Sequence, residues 1–134
     1  MRSQATQVAA RAYAPYSGLS VGAAGLLADG RIVVGCNVEN ASYGLALCAE
    51  AAMIAALHSG GAAPLLAVAC RAVSGEALMP CGRCRQLLFE AAGADLLVDG
   101  REGPLRLGVL LPYAFGPRDL PASAKPVDGT LDPA

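Results

Sequence analysis

Val21-Gly22-Ala23-Ala24-Gly25-Leu26-Leu27-Ala28-Asp29-Gly30-Arg31-Ile32-Val33-Val34-Gly35-Cys36-Asn37-Val38 decides the fold. Two β-prone runs, Val21 to Ala28 and Arg31 to Val38, flank Asp29-Gly30, a dipeptide that accepts the positive φ angles of a tight turn. The spacing predicts an antiparallel hairpin. Upstream, Ser3 is a candidate helix cap, and Val8, Ala9 and Ala12 fall at helical spacing. A helix is expected from Ser3 to about Tyr13, before Pro15 ends it. Downstream, Asn40 to Leu47 reads as a loop, and Cys48 to Ser59 as a helix stopped at Gly60-Gly61. Leu65 to Val73 reads as a fully buried strand and Ser74 to Pro80 as a loop. Cys81 to about Ala92 reads as a helix stopped by Gly93. Ala94 to Val98 is a short strand, Leu105 to Leu111 fits a strand or a short helix, and Pro112 to Leu120 is a Pro/Gly loop. The order α-β-β-α-β-α-β places the chain in the α/β class, as a three-layer α-β-α sandwich. One domain is expected over residues 1–120, with 121–134 as a mobile tail.

Composition narrows the function before any motif does. The 134 residues are 54% hydrophobic and 16% charged, too apolar for disorder. Apolar stretches are short and broken by Gly, Pro or Glu, so no membrane span is expected. The N-terminus shows no secretory h-region, which makes the cytoplasm the expected compartment. A formal net charge of -1, with Lys125 the single lysine, leaves no positive excess to neutralise a phosphate backbone. Nucleic acid is therefore not an expected partner. Five cysteines are an odd count without an export signal, which favours metal binding or buried thiols over a disulfide framework.

Their spacing carries the chemistry. Cys81-Gly82-Arg83-Cys84 sets two sulfurs three residues apart in a first helical turn, where both can face one ion. The helix N-terminus favours thiolate, the form that binds metal. Alone, such a pair is equally a thioredoxin-like redox couple or two incidental thiols. Cys48-Ala49-Glu50 adds a third thiol at another helix start and a carboxylate two residues on. Three protein ligands leave one tetrahedral position open, which separates a catalytic zinc site from a closed structural one. Glu50 is then the proton carrier, although a carboxylate in a first turn also serves simply to oppose the helix dipole.

Cys48-Ala49-Glu50 followed by Pro80-Cys81-x-x-Cys84 resembles the zinc deaminase signature. The likeness continues through Ala12 to Ser17, Val21 to Ala24, Gly35 to Gly44, Pro80 to Gln86, Leu110 to Pro112 and Phe115 to Pro117. Together these segments are similar to the small cytidine deaminases with three cysteine ligands, over roughly residues 12 to 120. The resemblance implies the cytidine deaminase-like fold with a mixed sheet, and one Zn2+ per chain held by Cys48, Cys81 and Cys84. It further implies hydrolytic deamination of cytidine and 2'-deoxycytidine in pyrimidine salvage, and a homotetramer with shared active sites. Glu50 would take a proton from water, protonate N3 of the base and later protonate the leaving ammonia.

Substrate-binding residues follow with less local support. Asn37 and Glu39 lie two apart at a strand end, so their side chains leave one face. A solvent-facing strand end has the same pattern, and it is the resemblance that assigns them to sugar hydroxyls. Backbone groups of Ala49 and Cys81 would lie near the base. Leu19 stands where relatives often carry a phenylalanine lining the base pocket. Tyr43 and Phe115 would contribute across a subunit interface, the alternatives being a structural tyrosine and a core phenylalanine. Cys36 and Cys70, inside strand runs, read as buried thiols, His58 as a surface or interface residue, and Gln86 as a buttress. A second departure is Ala51, where many relatives have an arginine that hydrogen-bonds the zinc-bound sulfurs. Arg83 and Arg85 are the candidates to offset that missing charge. Competing readings are a deaminase of a modified cytosine nucleoside such as blasticidin S, and a non-catalytic zinc-binding structural protein.

Overall fold

The computed structural model describes residues 1–121. Strand β1 (Val21–Leu27) and strand β2 (Ile32–Cys36) form the expected hairpin, in register from Gly22↔Cys36 to Leu26↔Ile32, with Gly30 at φ +85 in the turn. Strand β3 (Leu65–Ala72) pairs antiparallel with the other side of β1, and β5 (Leu97–Asp99) runs parallel to β3. The short strands β4 (Ala77–Leu78) and β6 (Pro104–Arg106) pair antiparallel with β3 and β5. The sheet is mixed, in the order β2-β1-β3-β5-β6 with β4 attached to β3.

Strand alternation sends successive side chains to opposite faces, and each face receives helices. Ala24 and Ala69 meet Ala5 of α1 (Arg2–Ala9) on one side. Ala23, Leu27, Val68 and Cys70 face the other side, where Ala49, Met53 and Leu88 come from α2 (Ala49–Ser59) and α3 (Gly82–Ala92). The three-layer expectation is met. Small residues set how close the layers come. A Cβ on Gly35 would lie 2.3 Å from the Met53 nitrogen and 2.6 Å from the Ala49 carbonyl oxygen, so α2 rests directly on β2. That contact fixes the depth of the α2 N-terminus, where Cys48 and Glu50 sit.

On the α1 face, the buried Asp99 accepts hydrogen bonds from Arg2 Nε at 2.8 Å and Nη2 at 2.7 Å, and pairs with the buried Arg71. The Arg2 hydrogen bond and the Arg71 charge hold the Asp99 carboxyl below its ordinary value, against the opposing effect of burial. This cluster ties the first helix to β3 and β5.

Several expectations need correction. The first helix begins after Met1 without a Ser3 cap and ends at Ala9 rather than Tyr13. Tyr13 instead joins the hairpin end: its N–H donates to the Asn37 carbonyl at 3.1 Å, and its own carbonyl accepts from Glu39 N–H at 2.8 Å. Strand β2 stops at Cys36, and Val38 bridges Tyr13 and Leu47. Strand β3 is not buried throughout, since Leu66 is half-exposed. The Ser74 to Pro80 loop contains β4, too short to show a period. Leu105 to Leu111 is both alternatives in succession, β6 and then α4 (Leu107–Leu110). Of the expected tail, only Pro121 lies within the described residues. Among these, no helix is long and apolar enough to cross a membrane.

Candidate active site

Two helix N-termini converge on one face of the sheet. Cys48 is the residue before α2 and Cys81 the residue before α3, both in extended backbone conformation. Cys84 lies in the first turn of α3 and is fully buried. The three sulfurs lie within 4.8 Å of one another, with Cys48 Sγ 3.9 Å from Cys81 Sγ. Tetrahedral zinc binds thiolate at about 2.3 Å, which puts its sulfurs about 3.8 Å apart. The cluster has the dimensions of such a site.

The donor chemistry agrees. Burial pushes the Cys84 thiol far up, with the Glu50 and Cys48 charges adding to it. Burial also raises Cys48, helped by Cys81 and Glu50 and opposed by its contact with Cys84. At Cys81 burial acts upward but loses to the Cys84 backbone N–H and the neighbouring thiols, so the net shift is downward. Three crowded sulfurs beside a carboxylate resist sharing negative charge unless a cation lies among them. The three thiols thus fit one Zn2+. When bound, that ion supplies the Lewis acid that makes water nucleophilic near neutral pH.

Glu50 is buried in the first turn of α2 and lines a cavity of about 370 Å³ together with Cys48 and Cys81. The same cavity is lined by Leu19, Asn37, Glu39 and Ala49, so six sequence-selected residues besides Glu50 meet in one space. Tyr43 stands just outside. It lines an adjoining cavity of about 310 Å³ that shares Ser17, Glu39 and Ala46 with the first, and its ring meets Tyr16 edge-on at 6.2 Å. Phe115 is not brought into this chain's cavity. It is 59% exposed, and its carbonyl accepts from Gln86 Nε2 at 2.8 Å.

The rim is stitched together by polar side chains. Asn37 Oδ1 accepts from Val21 N–H at 2.8 Å, and Asn37 Nδ2 donates to the Leu19 carbonyl at 2.9 Å. Glu39 accepts from Tyr16 N–H at 2.8 Å and from the Ser17 hydroxyl, and these bonds hold its carboxyl below the ordinary value. Arg83 and Arg85 spend their hydrogen bonds on carbonyls: Arg83 on Ala46 at 3.4 Å, Arg85 on Pro80 and Leu110, each at 2.9 Å.

Cys70 and Ser17 are among the wall residues that the sequence reading did not select. Cys70 lines the cavity beside Glu50, where burial and the Glu50 charge drive its thiol well up. The alternation of β3 signals its facing, since Val68 and Cys70 share the α2 face. Ser17 lines both cavities, and although it closes the Ala12 to Ser17 segment of likeness, no residue spacing there assigns it to a site. Cys36, read as buried, is half-buried, and His58 is exposed as expected.

A three-layer sandwich with three thiols and a carboxylate at two converging helix starts has the layout of a hydrolytic zinc enzyme. Residues 1–98 match the family model of the cytidine and deoxycytidylate deaminase zinc-binding region. The chain belongs to this family. It is 61% identical over 121 residues to the cytidine deaminase of Mycobacterium tuberculosis, covering 90% of this chain and 91% of that one. To the cytidine deaminase of Halalkalibacterium halodurans it is 39% identical over 122 residues, covering 87% and 92%. The crystal structure of the M. tuberculosis cytidine deaminase superimposes with a TM-score of 0.85 over 87% of this chain and 94% of that chain, at 61% identity. That of the Mycobacterium leprae enzyme gives 0.81 at 51% identity, over 84% and 94%.

Proposed function

We propose that this chain hydrolyses cytidine to uridine and ammonia, and 2'-deoxycytidine likewise, with one Zn2+ per chain held by Cys48, Cys81 and Cys84. The carrying observation is the buried Glu50 opening into the same cavity as two of the three clustered sulfurs. Glu50 takes a proton from the attacking water, passes it to N3 of the base, and delivers a further proton to the departing ammonia. Leu19, Cys70 and Met79 wall the cavity into which Glu50 opens. Backbone groups of Ala49 and Cys81 meet the base, and Asn37 and Glu39 take the ribose hydroxyls.

The active species is a homotetramer with shared sites, acting in pyrimidine salvage in the cytoplasm, and residues 1–120 form one domain. Exposure of Tyr43, Val109 and Phe115 supports the assembly, since large apolar side chains outside the chain's own core call for a partner surface. Five unpaired thiols suit a reducing compartment. An absorbance assay on purified zinc-loaded protein tests the activity. Turnover of cytidine and 2'-deoxycytidine, with cytosine and blasticidin S inert, is expected. Turnover of blasticidin S alone would move the chain to modified nucleosides, and inactivity on all four would favour a structural zinc protein. Light scattering tests the tetramer, and a fully active monomer would return Phe115 to a packing role.

A further inference from the structure

We propose that Ser17 is a positioning residue that aims the Glu39 carboxylate at the sugar and locks the base wall to it, so that the two halves of the cavity rim act as one unit. The inference rests on the reading of Glu39 as a ribose ligand. The Ser17 hydroxyl lies between two groups: it donates to Glu39 Oε1 and accepts from Leu19 N–H at 3.0 Å. Its single proton is therefore committed to the carboxylate. Glu39 Oε2 is held by Tyr16 N–H at 2.8 Å and Ser17 N–H at 3.3 Å. An ionised carboxylate offers about four acceptor positions and no donor. Three are occupied by the Tyr16-Ser17 turn, leaving one for a ligand, which must present a hydroxyl proton to it.

Leu19 is gripped from both ends by the same apparatus. Its N–H goes to Ser17 Oγ and its carbonyl to Asn37 Nδ2 at 2.9 Å. The two side chains that hold the sugar thus also hold, directly or through Ser17, the backbone of the residue that walls the base. Leu19 is 53% exposed and lies outside any regular element, so these hydrogen bonds rather than core packing define its place. The low carboxyl of Glu39 fits this arrangement, since every bond it receives favours the ionised form.

The test compares kcat/KM for cytidine with that for 2',3'-dideoxycytidine, which lacks the 2'- and 3'-hydroxyls, in the zinc-loaded protein. Ser17→Ala should lower the cytidine-to-dideoxycytidine ratio about tenfold, the worth of one charge-assisted hydrogen bond. Ser17→Thr, which keeps the hydroxyl, should restore it. The effect should appear in KM with kcat nearly kept. A purely structural role would lower both substrates alike and leave the ratio where it was. Glu39→Ala separates the inference from the reading beneath it. If Glu39→Ala collapses the ratio while Ser17→Ala leaves it at the wild-type value, Ser17 does not position Glu39 and the sugar assignment stands. If Glu39→Ala leaves the ratio unchanged, the sugar assignment itself fails.

Discussion

The floor and the rim of the cavity are built on opposite terms. The floor carries Cys48, Glu50, Cys81 and Cys84 on the starts of two helices that lie against the sheet, with Cys84 and Glu50 buried. The rim carries Ser17, Leu19, Asn37 and Glu39 on segments outside the named strands and helices, held by side-chain to backbone hydrogen bonds. The floor is positioned by close packing, as at Gly35, where no Cβ fits. The rim is positioned by a handful of directional bonds in partial contact with water. Chemistry that needs groups placed to a fraction of an ångström stands on rigid elements. The rim, by contrast, stands on segments that yield at lower cost.

The contrast predicts that floor substitutions abolish chemistry and rim substitutions tune binding. The largest effect belongs to Glu50→Gln. It should keep the zinc and the fold yet lose at least roughly a thousandfold in kcat, because the amide can neither take nor return the proton. Metal analysis alongside steady-state rates decides this, and near-normal turnover would remove Glu50 from its role. Next, Cys81→Ala should strip most of the zinc while Cys36→Ala retains it, read by elemental analysis. Full retention in Cys81→Ala would break the three-sulfur floor.

A third variant sharpens the contrast from the far face of the sheet. Asp99→Asn leaves the buried Arg71 without its carboxylate and should cost about 3 kcal/mol of stability in chemical denaturation, with KM for cytidine unchanged. The same group gives a pH signature. Because the folded carboxyl lies below its ordinary value of 3.8, its stabilisation is complete above that pH and is lost as pH falls through the lower folded value. Acid unfolding should therefore be blunted in Asp99→Asn relative to wild type, and an identical acid limb in both would discount the pair.

The smallest effect lies on the rim. Leu19→Phe should lower KM for cytidine several-fold with little change in kcat, since an aromatic contact is worth about 0.5 to 1.5 kcal/mol beyond area burial. It should also weaken acceptance of C5-substituted cytidine. Arabinosylcytosine should follow cytidine, because the Leu19 backbone bonds to Ser17 and Asn37 survive the change. Unchanged KM for all three would take residue 19 out of the base pocket.

Much of the floor was legible because its signals are local. A thiol beside a helix start, a second three residues on, and a carboxylate two residues after a third thiol are patterns that helical geometry translates directly. The hairpin was legible for the same reason, through Asp29-Gly30. The rim was less so. Asn37 and Glu39 were selected, but their bonds to Leu19 and to the Tyr16-Ser17 turn span 18 to 23 positions. Ser17 lay in a segment of likeness but had no local pattern that gave it a role. The end of α1 was misplaced because Tyr13 continues a helical composition yet is captured by backbone bonds to residues 37 and 39. The chain of β6 and α4 was ambiguous because two three- to four-residue elements are shorter than any period that would reveal them.

The sequence by itself determined which groups are the candidates for the chemistry: three thiols, one carboxylate and their placement at helix starts follow from residue type and spacing within single elements. Only the tertiary structure decided that Cys48 and Cys81, 33 positions apart, come within 3.9 Å, and that Ser17 meets Glu39. Those meetings depend on how deep α2 settles on β2 and on the register of β1 against β3. Side chains from distant segments fix both jointly, so no local pattern encodes them.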